Sequence, residues 1–231
     1  MLNTKSIEAI TSYIENNYLT IEQLANQSNL SLDQLEALIN NACIPKHSHT
    51  ITRQIIFHTD VFGDSIFTEQ NIFYYHSSLI KWAMRANQYL DAANFIDVAS
   101  KIKADFTHEL YQSLMEIDGA KKIFNYCFDD DGNLLANGVE KIMTEHWSYI
   151  MDGTYGVCLK EINAKNVILK NIAVSLLEEW VKNTTHKDYL YEEVQKAAEL
   201  YDSVAAHFAP HEIIKSTRGR LFNKFKGHSK Y

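Results

Sequence analysis

A chain of 231 residues, 46% of them hydrophobic and 22% charged, can bury the core of one large domain, or of a small module and a larger one, and does not have the composition of a disordered segment. Three cysteines without a CxxC pair argue against a disulfide framework or a zinc ribbon, and no apolar run approaches a bilayer span, so a cytoplasmic protein without a membrane anchor is expected. The formal charge of -7 is uneven: residues 1–60 hold Lys5, Lys46 and Arg53 against six acids, whereas residues 211–231 hold six Lys or Arg against Glu212 alone.

Ile7, Ile10, Tyr13 and Ile14 share one face of a helix expected over residues 6–17, packed as the third helix of a small bundle. In the following stretch LTIEQLANQSNLSLDQLEALINNACIPK, Thr20 stands three residues before Gln23 and Ser31 three before Gln34, two capping boxes that each open a short helix. Leu24, Ala25, Leu30, Leu35, Leu38 and Ile39 are spaced to be buried where the helices cross, and Asn29 fits the left-handed turn position. This is a helix-turn-helix pattern. The second helix of such a motif enters the major groove of DNA. Its outward positions here, Ser31, Leu32, Asp33, Glu36, Ala37 and Asn40, include no cation. Phosphate neutralisation supplies much of the affinity for DNA, so the pattern points to a structural or protein-contact role rather than to reading bases through this helix.

The next stretch, HSHTITRQIIFHTDVFGDS, is β-branched and aromatic, and predicts a short strand pair or an extended connector. Helical period is expected to resume at Thr68, an N-cap with Glu69 behind it, with Ile72, Tyr75, Leu79, Trp82 and Met84 on its face. It continues through AANFIDVASKIKADFTHELYQSLMEI. FDDDGNLLANG reads as a turn with a solvated acidic tip, because Leu134 stands where a calcium loop needs glycine. Further helices are expected over residues 139–151, 164–183 and 187–208. The fold expected is mainly α with minor β: a helix-turn-helix module with its connector over 1–62, a larger helical domain over 63–210 and a basic C-terminal tail over 211–231.

The succession YLTIEQLA…CIPKHSH, FTEQNIF…IKWAMRAN and HWSYIMDGTYGVC resembles an uncharacterised bacterial protein family associated with natural-product biosynthesis. The N-terminal third resembles the MerR or excisionase type of helix-turn-helix, including the IP after the second helix and the FTE that opens the next. The resemblance implies a setting in specialised metabolism; it brings no catalytic motif and no cofactor.

Candidate chemistry concentrates in EHWSYIMDGTYGVC, where Glu145, His146, Asp152, Tyr155 and Cys158 set an acid, a base, a hydroxyl and a thiol around a glycine-flexed turn. The alternative is a tight helix connection with Cys158 buried. His207 and His211, with Asp202 or Glu212 near, have metal-ligand spacing, but Pro210 interrupts their helix and no metal is assigned. Asp105, His108 and Glu109 look like half of a dinuclear iron site without its second copy. Trp82, Trp147 and Trp180 read as packing, or as the lining of a ligand cavity. In the tail, Arg218, Arg220 and Lys224 are candidates for anion binding, unless the tail folds back on its own acidic body.

The leading expectation is a binding, accessory or regulatory protein that uses its non-cationic helix-turn-helix module to associate with a protein partner or as a homodimer. An enzyme or small-molecule-binding protein of natural-product biosynthesis, acting through the helical domain, is the second. A DNA-binding transcriptional regulator is the third, and needs the tail from Lys215 to Lys230 for its phosphate contacts.

Overall fold

Side chains that close on their own backbone set the start of the fold. The computed structural model describes residues 4–90, 94–182 and 191–222. In it Thr20 Oγ1 accepts the N–H of Gln23 at 3.3 Å while Gln23 accepts the N–H of Thr20 at 2.8 Å, opening α2 (Ile21–Ser28). Ser31 and Gln34 repeat the exchange at the head of α3 (Leu32–Asn40). Asn29 takes the left-handed conformation, with φ of 56°, and stops α2 there. Leu24, Leu35 and Leu38 are fully buried and Ala25 nearly so.

The preceding helix, α1 (Thr4–Asn17), does not make a three-helix bundle with this pair. Its Ile14, with Tyr18 just beyond its end, joins Tyr74 in a cluster bordered by Ile10, Tyr13, Ile51 and Ile72, so the apolar side of α1 lies on a β-hairpin. That hairpin pairs β1 (His49–Thr59) with β2 (Gly63–Tyr74), antiparallel from His49 opposite Tyr74 to Thr59 opposite Gly63. A bulge between Arg53 and Gln54 leaves Glu69 without a partner. The division expected at 62/63 coincides with the turn of this hairpin.

The helix start expected at Thr68 is therefore corrected. Thr68 pairs with Gln54 inside β2, and the first residues of the supposed helical face, Ile72 and Tyr75, precede any helix. Ile66, Thr68, Ile72 and the aromatics between them favour a pleated strand, and a partner of matching length outweighed the single N-cap signal. The helix itself, α4, spans Leu79–Leu90 and buries Leu79, Ala83 and Ala86, while Met84 is exposed.

The remaining elements are helical. They are α5 (Phe95–Glu116), capped by Asn94, then α6 (Ala120–Ile123), a single 3-10 turn at Asn125–Cys127, α7 (Ala136–Met151), α8 (Thr154–Cys158), α9 (Ala164–Lys182) and α10 (Tyr191–Val204). One π-helical turn follows at Arg218–Phe222. The expected helix end at 183 and helix start at 187 fall within residues 183–190, outside the described residues. The acidic loop closes on itself, with Asp129 Oδ1 accepting the N–H of Asn133 at 2.7 Å. The described chain is mainly α with a small two-stranded sheet, and none of its described helices is long and apolar enough to cross a membrane.

One hydrophobic cluster runs from Leu24 in α2 through Leu79, Ile102, Phe106, Val139 and Ile150 to Ile172 in α9. A second joins α9 to α10 through Leu177, Val194, Tyr201 and Leu221. The link between the N-terminal elements and the rest is tightest at α8. A Cβ on Gly153 would stand 2.1 Å from the carbonyl oxygen of His47, and one on Gly156 would stand 2.0 Å from Ser48 Oγ. Gly153 also has φ of +90°. Gly153→Ala must therefore strain its own backbone and push α8 off residues 46–48, and we expect it to cost about 3 kcal/mol, read as a lowered urea midpoint with unchanged slope.

Candidate functional site

The joint between α7 and α8 brings only two of its five candidates together. Tyr155 is buried, and its hydroxyl lies 2.7 Å from His146 Nδ1. Burial pushes the phenol well above its ordinary value; burial also lowers the imidazole, with Lys170 acting in the same direction and Glu145 against it. A neutral phenol facing a neutral imidazole forms a hydrogen bond that holds α8 to α7, with neither partner charged. Glu145 and Asp152 are exposed. Asp152 Oδ1 accepts the N–H of Thr154 at 2.9 Å. Cys158 is half-buried, and its carbonyl accepts the N–H of Ala206.

A polar cluster that the sequence reading missed lies beside this joint, at the foot of the hairpin. His49 Nε2 is 3.1 Å from Glu212 Oε1, and Glu212 Oε2 accepts the N–H of Ala209. Burial raises Glu212, but the His49 hydrogen bond and charge, the N–H of Ala209 and the charge of His211 together hold the carboxyl below its usual range. The Tyr18 ring meets His49 edge-on at 4.4 Å, and its hydroxyl donates to the carbonyl of Gly156. His76 is buried on the other side of Tyr18, accepts the N–H of Ser78 at Nδ1, and is pushed down to about 4 by burial. Ser48 Oγ and His49 Nδ1 are buried without a hydrogen-bond partner among the described residues. His49 and Glu212 are 163 positions apart, so no spacing rule connects them.

The other sequence candidates are placed as follows. The helix ends at Val204, so His207 and His211 do not share a helical face, and no group of three or more His, Cys, Asp or Glu among the described residues could hold a metal ion. Asp105 accepts from the Tyr89 hydroxyl, Glu109 pairs with Arg85, and His108 contacts Gln112. Arg218 pairs with Asp202 at 2.6 Å and lies over the Tyr201 ring, and Arg220 pairs with Glu178 at 3.4 Å. Lys224 lies outside the described residues.

Two further features offer surface for binding. Beyond Arg53 and Gln70 no described residue forms a covering layer on the hairpin: Ile55, Ile56, Phe57, Ile66 and Phe67 are about half exposed, and Val61 and Phe62 at the turn are 81% and 87% exposed. Strand alternation puts Ile55, Phe57 and Phe67 on the face that continues from Ile51 and Ile72, with the Phe57 and Phe67 rings 5.7 Å apart. The second feature is a cleft of about 190 Å3 between α4, α5 and residues 161–163, walled by Trp82, Ile102 and Phe106. Lys81 pairs with Glu161 and Arg85 with Glu109 at its mouth. Trp147 packs behind both aromatics, 6.2 Å from Trp82 and 5.6 Å from Phe106.

The depressed histidine gives the fold a pH limb. His76 binds no proton in the folded chain until about pH 4, whereas in the unfolded chain it protonates near 6.5. Stability should therefore be full above pH 6.5 and fall as the pH drops toward 4, by on the order of 3 kcal/mol from His76. His146, shifted in the same direction, adds to the slope. Urea unfolding from pH 7.5 to 4.5 reads this, and His76→Asn should flatten the limb.

Comparison with known proteins bears on the helical portion. No curated protein and no solved structure matches the chain. A family described as a family of unknown function (DUF6058) matches residues 102–228, from within α5 past the last described turn, which is more than half of the sequence. The chain belongs to that family.

Proposed function

We propose that the protein works by association rather than by catalysis, and that two copies join through their hairpin arms. The observation that carries this reading is the uncovered apolar surface of β1 and β2. A two-stranded hairpin is marginal in water by itself, and this one extends beyond the cover of α1 with large apolar side chains on both faces. Beyond Arg53 and Gln70 seven exposed Ile, Val and Phe side chains lie together over both faces and the turn, a contiguous apolar patch rather than scattered single residues.

Charge argues against other occupants. No Lys or Arg occurs from Gln54 to Ile80, and Asp60 and Asp64 stand beside Val61 and Phe62 at the turn. Nucleic acid and anionic lipid are both repelled by such an arm. The helix-turn-helix resemblance belongs to the same reading: Ser31, Leu32, Asp33, Glu36 and Asn40 are exposed and offer no cation, so the module serves protein contact. A second copy is the occupant we propose, because an apolar sheet face such as that of Ile55, Phe57 and Phe67 can stack on its equal about a two-fold axis.

Light scattering on the eluting chain, over a dilution series, should give twice the chain mass. A double variant, Phe57→Asp with Phe67→Asp, should give the single mass with an unchanged circular dichroism spectrum and a lower melting temperature that no longer depends on concentration. A wild-type chain that elutes as a monomer throughout sinks the reading.

A further inference from the structure

The cleft between α4 and α5 is small, firm and electrically balanced, and the three properties together select a class of ligand. Its firmness comes from the segment that closes it. The N–H of Ile162 donates to Ser78 Oγ and the carbonyl of Ile162 accepts from the indole of Trp82, both at 3.0 Å, so Ser78, just before α4, and Trp82 on α4 hold the backbone of one residue on both sides. Asn166 holds the segment from α9, donating its side-chain amide to the carbonyl of Glu161 and its backbone N–H to Asn163 Oδ1. The wall is thus in place before anything binds, which spares a ligand the cost of ordering it.

The balance lies in the rim. Lys81 and Arg85 are four residues apart on α4, hence on one side of it and one turn apart. Glu161 and Glu109 face them, so two cations alternate with two carboxylates and the mouth carries no net charge. A ligand with one charge meets as much repulsion as attraction there. A zwitterion meets neither unpaired, since each of its ends finds the opposite sign. Both ion pairs are partly exposed to water, where such pairs contribute little, so a ligand can open them at small cost. Behind the rim the half-buried Trp82 is the main apolar wall, laid over Ile102 and Phe106, which are almost wholly buried, and Ser78 and Asn163 add polar lining.

We propose that this cleft binds a free α-amino acid with an apolar side chain. The carboxylate lies toward Lys81 and Arg85, the ammonium group toward Glu109 and Glu161, and the side chain against Trp82, Ile102 and Phe106. None of these residues belongs to the hairpin arm, and the site stands whether or not the chain dimerises.

Calorimetric titration of the full chain with L-leucine, L-methionine, L-phenylalanine and L-tryptophan tests it. At least one should saturate at millimolar concentration or below. Its two analogues that lack the amino group or the carboxyl group should each bind at least about tenfold more weakly. The paired change Arg85→Ala with Glu109→Ala removes one charge of each sign from the exposed rim and spares the core. It should lower the affinity by about tenfold with the melting temperature unchanged, since an exposed pair contributes little to folding. No heat from any of the four, equal binding by the single-charge analogues, or undiminished binding by the double variant overturns the proposal.

Discussion

The seat of α8 on the backbone of residues 46–48 is the constraint on which the arrangement depends. Two glycines allow it, Gly153 against the carbonyl of His47 and Gly156 against Ser48 Oγ, and the N–H of Lys46 bonds to the carbonyl of Met151 beside them. Packing this close leaves no room for sliding, so the start of the hairpin is fixed to the joint of two helices more than a hundred residues away in sequence. The bonds from Tyr18 to Gly156 and from His49 to Glu212 then close the same region from the N-terminal helix and from the segment after α10.

Both surfaces proposed for binding hang from that seat. On one side β1 and β2 leave a rigid foot, which holds the arm away from the body instead of letting it fold down over its own apolar residues. On the other side α8 runs directly into the strap at residues 161–163, whose Ile162 closes the cleft. Leu159, between the two, pairs with Ala205 and so ties the strap to the end of α10. A shift at the seat would be felt at the arm and in the cleft together.

What was legible in the sequence was local chemistry. The capping boxes of Thr20 and Ser31 and the left-handed Asn29 involve neighbours three or four residues apart, where backbone geometry leaves few alternatives. The Thr68 error arose because a cap signal is equally local, whereas the strand that overrode it depends on pairing with residues fourteen positions away. Of the reactive residues around the glycine turn, His146 and Tyr155 meet because α7 and α8 fold back on each other. Glu145 and Asp152 do not join them, since helical rotation and a turn cap send them to solvent. The His49–Glu212 contact and the alternating rim of Lys81, Glu161, Arg85 and Glu109 are products of tertiary packing, and only the i, i+4 spacing of Lys81 and Arg85 is written in the chain.

The family segment begins at residue 102, yet the hydrophobic cluster it enters begins at Leu24. Ile102, Phe106 and Leu110 on α5 share that cluster with Leu79, Ala83 and Ala86 on α4, outside the segment. The larger part of that cluster lies on the segment, and residues from Leu24 to Val98 complete it from outside. In this chain α2, α3 and α4 supply the layer that closes it, and Trp82 on α4 is the side chain that sets a cleft over Phe106.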